Sequence, residues 1–317
     1  MLVKHFAEEV EKYELQNRRL ADKITLSDLA DSDNTNAINT INRIAGLCDT
    51  IDNMLKNVSF FELYNKKRNL FHIGYNATTQ VKDQGCYDLI ASESLLTSYL
   101  AIARGEVPPK HWQKLSRPLT MIRGIPAHVS WSGTMFEYLM PLLVMPTFEH
   151  TLLDRTYRAV VQRQIEYGRQ RGIPWGISES GYNATDAHLI YQYRTFGVPG
   201  LGLKRGLSDD LVVAPYASIM ALMIAPQRAC ANLRRLARDG LLGAHGFYEA
   251  VDFTPARVPP GQRGAIVRSF MAHHQGMSLL SIAHVLLDRP IQRRFLSDPL
   301  FRATELLLQE RVPNAAP

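Results

Sequence analysis

No proline precedes Pro108 in a chain of 317 residues that carries 17 of them further on, and only Gly46, Gly74 and Gly85 precede Gly105. The first third therefore lacks the residues that break helices, while the remainder is cut into shorter pieces by loops. Cysteine is scarce. Cys48, Cys86 and Cys230 are odd in number, far apart and without a CxxC pair, which excludes a disulfide scaffold and points to a reducing, cytoplasmic setting. Long apolar runs are also missing. The longest uncharged stretch, Leu211–Gln227, is short for a membrane span and contains Pro215 and Pro226, so no membrane segment is expected in this chain. Lys4, His5, Glu8, Glu9, Glu11 and Lys12 interrupt any leader-like apolar run at the start. The glycines of Gly197–Gly206 follow neither a GKS/T nor a GxGxxG order, so no phosphate loop is expected. Ser132 is not framed as GxSxG, and the adjacent His273 and His274 lack the i, i+4 spacing of a chelating pair. Neither a metal nor a cofactor is expected.

What is present suits a globular protein. Apolar residues make up 46% and charged residues 21%, a balance that excludes disorder as the main state. The net charge of +6 is mildly basic. Its densest clusters, such as Lys66-Lys67-Arg68 and Arg234-Arg235, accompany no nucleic-acid reading motif and read as solvated surface, so no nucleic-acid partner is expected. Helical periodicity predicts helices over Met1–Ile24, Asn34–Val58, Tyr87–Ala103, Gly133–Val144, Leu152–Arg171, Ala184–Arg194, Ala217–Met223, Arg228–Asp239, Ile266–Leu287 and Leu300–Gln309. Leu63–Tyr75, rich in aromatics and β-formers, predicts a hairpin or extended strip. Long non-helical segments at Gly172–Tyr182, Phe196–Asp210 and Gly240–Gly264 have the length of functional loops. The simplest reading is an all-α domain with elaborate loops on one side.

Carboxylates among aromatics carry the chemistry. On a helix, Glu93 of Tyr87–Leu96 would sit in an apolar stripe with Leu89, Ile90, Leu96 and Leu100. A carboxylate there is costly unless paired, and burial would raise its pKa toward that of a general acid. A structural partner arginine would explain it equally. Glu179 lies in Gly172–Asn183, amid glycines, Trp175, Tyr182 and Asn183, a composition suited to the apolar faces and hydroxyl edges of sugars; a tight turn with a surface Glu179 is the alternative. In His128–Pro141, Ser132 or Thr134 could cap a helix, and Glu137 could serve its dipole or touch substrate beside Trp131. Gly246–Thr254 alternates Tyr248 and Glu249 with further carboxylates and aromatics, as an edge strand or a sugar contact. Met271–Ser278 offers His273, His274 and Gln275 as sugar-binding or buried structural groups. Two carboxylates acting across a scissile bond would suit glycoside chemistry.

Taken together, NLFHIGYN (69–76), YDLIASE (87–93), SWSGTMFEYLMP (130–141), RQIEY (163–167), GIPWGISESGYN (172–183), FGVPGLGLKRGLSDDLVVAPY (196–216), GFYEAVDFT (246–254), MAHHQGMSL (271–279) and ATELLLQERVP (303–313) closely resemble the glycoamylase-like cyclisation domain of bacterial cyclic β-1,2-glucan synthases, glycoside hydrolase family 189. The resemblance implies an (α/α)₆ toroid over residues 60–317, with a helical leader at 1–59 packed on it or completing it. It implies anomer-retaining transglycosylation that closes linear β-1,2-glucan into a ring. By motif, Glu179 in ISES resembles the nucleophile and Glu93 in ASES the acid/base. Trp131, Glu137, Trp175, Tyr182, Asn183, Asp186, Tyr248, Glu249, His273, His274 and Gln275 are the expected substrate-binding or supporting residues, with Asp88 and Asp210 as further supports. Complete synthases also carry glycosyltransferase and phosphorylase-like modules and attach to the bacterial inner membrane; neither module is present here. An endo-β-1,2-glucanase on the same fold and a non-catalytic glucan-binding module are the alternatives.

Overall fold

Thr151 and Gly172 bracket the helix on which the site depends. In the computed structural model, which describes residues 24–311, the Thr151 hydroxyl accepts a hydrogen bond from Asp154 N, and Gly172 ends helix Leu152–Arg171 at φ 69°. A hydroxyl N-cap and a left-handed glycine satisfy the backbone groups that a helix leaves unpaired at its ends. The helix buries Leu153, Tyr157, Val160, Val161 and Tyr167. A hairpin of Leu119–Ile122 and Ile125–His128 packs along it, and His128 N donates to Thr156 Oγ1 at 3.0 Å.

The chain divides into two units, 1–59 and 60–317. In the first, a capping box between Thr25 and Asp28 starts helix Leu26–Asp31, and Asn34 caps helix Thr35–Asn57. The predicted second helix is thus present; the one predicted over Met1–Ile24 lies outside the described residues except for Ile24.

In the second unit, short helices and antiparallel strand pairs surround one large core. Tyr64–Asn65, Leu70–His72 and Cys86–Tyr87 form a three-stranded sheet, as the β-forming strip at 63–75 predicts in part. A second sheet joins Val212–Val213, Ala250–Asp252 and Ala265–Val267, and hairpin Ser180–Thr185/Tyr191–Arg194 packs against it. Helix Ala272–Leu286 packs on helix Pro215–Met220, which in turn packs on helix Pro226–Leu236. No helix among the described residues is long and apolar enough to cross a membrane.

Among the described residues helices stand beside several small sheets. Three helix expectations are corrected. Ala184–Arg194 is no helix: Tyr191 and Tyr193 alternate along a strand that pairs with Ser180–Thr185. Tyr87–Ala103 is helical only over Leu95–Ala103. Upstream, Ser116 N bonds Asp88 O at 2.7 Å and Ile90 N bonds Ser116 O at 3.1 Å, holding the backbone extended. Ser94 N then bonds Ser92 Oγ at 3.2 Å, a local competitor to helix formation. Glu93 therefore sits in a turn before the helix and not on it. A similar shortening at Ile266–Leu287 leaves strand Ala265–Val267 ahead of helix Ala272–Leu286.

Gly176 opens the loop that carries Glu179. Its φ is 120°, and a Cβ there would lie 2.6 Å from Ser218 Oγ and 3.1 Å from Ala214 O. Gly176→Ala is expected to destabilise the protein by about 2 kcal/mol or more, combining backbone strain with a clash. Urea unfolding monitored by circular dichroism checks this.

Candidate active site

Buried helix Leu152–Arg171 supplies the first anchor. Gln164 Nε2 donates to Ile177 O at 2.7 Å, and Ile177 N donates to Gln164 Oε1 at 2.9 Å. Ala214 N donates to Gly176 O at 2.9 Å, and Ile177 bridges Val213. Next along the chain, Ser178 Oγ accepts from Phe136 N at 3.1 Å and lies 2.8 Å from the Tyr216 hydroxyl. The same hydroxyl is 2.9 Å from Glu179 O. Residues 176–179 are thus fixed by groups from three separate segments, around Phe136, Gln164 and Val213–Tyr216.

The Glu179 side chain is half-buried, and Thr195 Oγ1 donates to Oε2 at 3.4 Å. The Tyr193 hydroxyl, 3.4 Å from His274 Nε2, lies near the carboxylate. Burial raises the carboxyl above the ordinary range, and the charge of Glu93 raises it further; His274 and Tyr193 oppose the rise, and Glu137 adds to it. Glu93, also half-buried, accepts a hydrogen bond from Ser92 Oγ at 3.2 Å. The two carboxylates predicted from the sequence therefore meet in space. Tyr87 marks the meeting point: burial first, then Glu93 and after it Glu179, push its hydroxyl up to about 12.

Glu137 joins them from below. It closes a capping box with Thr134 at the start of helix Met135–Leu139. Its carboxylate also accepts from Ser130 Oγ at 2.9 Å and from Ser132 N at 3.0 Å. Burial raises its carboxyl, while these hydrogen bonds oppose the rise. The capping reading of Glu137 applies, and it lies close enough to feel the charge of Glu93 and to raise the Glu179 carboxyl. Trp131, 48% exposed, donates through Nε1 to Asp88 Oδ1 at 2.7 Å and presents its indole to solvent.

The remaining predicted residues fall into distinct places. Glu249 and His274 are buried and face each other at 3.0 Å, Oε2 to Nδ1. Glu249 Oε1 accepts from Gly181 N at 3.0 Å. His273 is exposed beside His274. Tyr248 and Gln275 line an open, mainly apolar cavity of about 340 Å³ with Pro215, Tyr216 and Ile282; His274 and Glu249 form its back wall, and neither Glu93 nor Glu179 borders it. Trp175 is buried, with its carbonyl held by Ser218 and Asn232. Tyr182 lies under the guanidinium groups of Arg194 and Arg257. Asn183 bonds Asp252 and the Arg257 carbonyl, and Arg257 also pairs with Asp210 at 2.9 Å. Asp186 organises the exposed tip of the hairpin through His188 N and Ile190 N, away from the carboxylates.

Tyr87, Tyr193, Thr195 and Tyr216 were not among the predicted site residues. The alternation of Tyr191, Tyr193 and Thr195 after ISES is the signal that would have placed two of them on a strand returning to Glu179. Among the described residues no group of three or more His, Cys, Asp or Glu side chains is arranged to hold a metal ion.

Comparison with known proteins agrees with the resemblance read from the motifs. Residues 85–299 match the Glycoamylase family model, described as "Putative glucoamylase". The chain is 52% identical over 260 residues to the cyclic beta-(1,2)-glucan synthase NdvB of Rhizobium meliloti, an alignment covering 82% of this chain and 9% of that much longer protein. Among solved structures, the endo-beta-1,2-glucanase of Chitinophaga pinensis aligns over 96% of this chain and 69% of its own, with TM-score 0.60 and 15% identity. A beta-1,2-glucanase of Parabacteroides distasonis aligns over 95% and 43%, with TM-score 0.56 and 15% identity. These two share the fold. With the family model spanning most of its length, the chain belongs to the glycoamylase family.

Proposed function

We propose that this chain acts on β-1,2-glucan as an anomer-retaining transglycosylase, closing linear chains into rings. The observation that carries the proposal is the pairing of Glu179 and Glu93. Both are half-buried carboxylates on well-anchored backbone, close enough that the charge of Glu93 raises the Glu179 carboxyl and that both raise the Tyr87 phenol. The likeness to a synthase named for cyclic β-1,2-glucan supports the substrate class. In this reading residues 60–317 are the catalytic domain of an (α/α)₆ toroid and 1–59 its helical leader. The domain works on the cytoplasmic side, alongside the glycosyltransferase and phosphorylase-like modules of a larger, membrane-attached synthase.

Glu179 attacks the anomeric carbon while Glu93 protonates the departing glycosidic oxygen, leaving a glycosyl ester on Glu179. Glu93, now ionised, then takes the proton from the 2-hydroxyl at the far end of the same glucan. That oxygen bonds the anomeric carbon, and the ester electron pair returns to Glu179. Trp131 offers its exposed indole as a platform for a glucosyl ring, with His273 as a further surface contact. Closure requires the bound hydroxyl to outcompete water, which positioning can achieve.

Mass spectrometry of products from linear β-1,2-glucan is the direct test. Products one water lighter than the linear series are expected. Shorter linear products alone would replace the transfer step with hydrolysis, and unchanged glucan would leave only binding. Glu179→Gln and Glu93→Gln are each expected to lower turnover of glucan about a thousandfold or more. The acidic limb of the rate profile should lie above the ordinary carboxylate range, because Glu179 must ionise against burial. Stability follows the same sign. A carboxyl raised in the folded state stabilises folding below its unfolded value, and this contribution is lost as pH rises through the folded value. Glu179→Gln should therefore be at least as stable as wild type at neutral pH, as thermal unfolding would reveal.

A further inference from the structure

The helices that hold the Glu179 loop also frame a cavity at their far ends. Helix Leu152–Arg171 carries Gln164, which holds Ile177, and ten positions earlier Asp154, which lines the cavity. Tyr216, bonded to Glu179 O, opens helix Pro215–Met220, and Met223 and Ile224 follow its end on the cavity wall. Ten helical residues span about 15 Å. The cavity, of about 120 Å³, therefore lies well behind the carboxylates, and neither Glu93 nor Glu179 lines it. We propose that it is a second carbohydrate-binding site, taking a neutral, hydroxyl-bearing ring such as one glucosyl unit. The choice of a β-1,2-linked sugar as its probe rests on the proposed function; the preference for a neutral polyol does not.

Three buried polar atoms without a hydrogen-bond partner belong to residues of its lining: Thr147 Oγ1, His284 Nδ1 and Gln292 Oε1. Gln292 is 4% exposed, and its Nε2 donates to Leu142 O at 2.6 Å and Leu143 O at 2.9 Å. Those two carbonyls fix which way the amide faces, so Oε1 is an acceptor that lacks a donor. Buried groups of this kind cost stability unless something meets them. His284 lies near Gln292 without bonding it. Burial holds its imidazole toward the neutral form, and Arg289 adds to that effect. A ligand hydroxyl between the two can donate to Oε1 and accept from Nδ1–H, while another meets Thr147.

The charges around the cavity disfavour an ionic ligand. Glu149 and Asp154 stand against Arg158 and Arg289, two of each sign, and Asp154 already accepts from Arg158 Nε at 3.0 and 3.1 Å. A fully ionised anion has no proton for Gln292 Oε1 and meets two carboxylates; a cation meets two guanidinium groups. Hydroxyls both give and accept, and Leu142, Pro146, Met223 and Ile224 supply an apolar wall for the C–H face of a ring. Arg289 has no side-chain partner among the described residues, yet its backbone is strained. Asp288 and Arg289 are consecutive left-handed residues, at φ 53° and 55°. Arg293 braces their turn through Asp288 at 2.5 Å and Leu287 O at 3.1 Å. Strain of this kind gathers at ligand sites, and here it sets a free guanidinium at the cavity.

Nuclear magnetic resonance reads the two sites separately in one titration, the cavity through the Met223 and Ile224 methyls and the cleft through the Trp131 indole N–H. The probe is the β-1,2-linked glucose disaccharide, followed by linear β-1,2-glucan. Saturable shifts of both methyls are expected. Saturation by the disaccharide at the same affinity as the glucan identifies a site for free small sugars; tighter binding of the glucan identifies one polymer that reaches both sites. Thr147→Val, which keeps the shape and removes the unpartnered hydroxyl, should weaken the methyl response about fivefold. Arg289→Gly should weaken it about tenfold. Its melting temperature should be no lower than wild type, because glycine adopts the left-handed turn without strain. Indole shifts without methyl shifts would overturn the second site and leave the functional reading intact; methyl shifts beside a silent indole would do the reverse. Methyls that respond to inorganic phosphate and not to the disaccharide, or variants that bind as wild type does, would refute the proposal.

Discussion

A single side-chain amide in the core decides where the chemistry can be. Gln164 meets both backbone groups of Ile177, at 2.7 and 2.9 Å, from the middle of a helix that is otherwise buried against apolar neighbours. A buried polar side chain is tolerable only when its partners are satisfied, and here the partner is the strand-like segment two residues ahead of Glu179. Everything downstream inherits that position. Ser178 faces Phe136 N and Tyr216, and the carboxylate emerges at a fixed point relative to helix Met135–Leu139 and helix Pro215–Met220. The catalytic loop is thus tied to rigid elements on every side.

The electrostatics follow from this fixation. The charge of Glu93 raises the carboxyls of Glu137 and Glu179 and the phenol of Tyr87, and Glu137 adds to the rise at Glu179. Such mutual repulsion persists in a folded protein only where the backbone is held by other means. Glu137 is stabilised by its capping box and by Ser130 and Ser132. Glu179 has the Tyr193 hydroxyl and the distant charge of His274.

Local signals in the sequence describe much of this and stop where distant partners decide. Helix Leu152–Arg171 is legible from Thr151, Gly172 and the apolar spacing between them. Glu93 and Glu179 stand out as carboxylates in apolar or glycine-rich settings, and they do come together. The turn that carries Glu93 is not legible, because it depends on Ser116, more than twenty positions downstream. Nor is the hairpin at 180–194, where Ala184-Thr185-Asp186-Ala187 fits a helix until Tyr191 and Tyr193 pair back to the strand before it. Tyr193 was missed for that reason. Glu249 and His274 were found by type, as a carboxylate and a histidine among aromatics, but their burial is a property of how three segments pack. Sequence spacing shows which residues can do chemistry; the packing decides which of them reach solvent.

The bond from Trp131 Nε1 to Asp88 Oδ1 has a mechanical side. Asp88 belongs to the short extended segment that is laced to Ser116 and leads directly into Glu93. The indole and the carboxylate therefore hang from one frame, although they come from loops far apart in the chain. On the proposed function, a glucosyl ring that settles on the indole is gauged against Glu93 as if by a ruler clamped at Asp88. Slippage of a long, uniform polymer by less than one sugar unit would be felt as a misfit at the bond to be cut. On that proposal the feature gives a repetitive chain, in which every linkage is alike, a defined register.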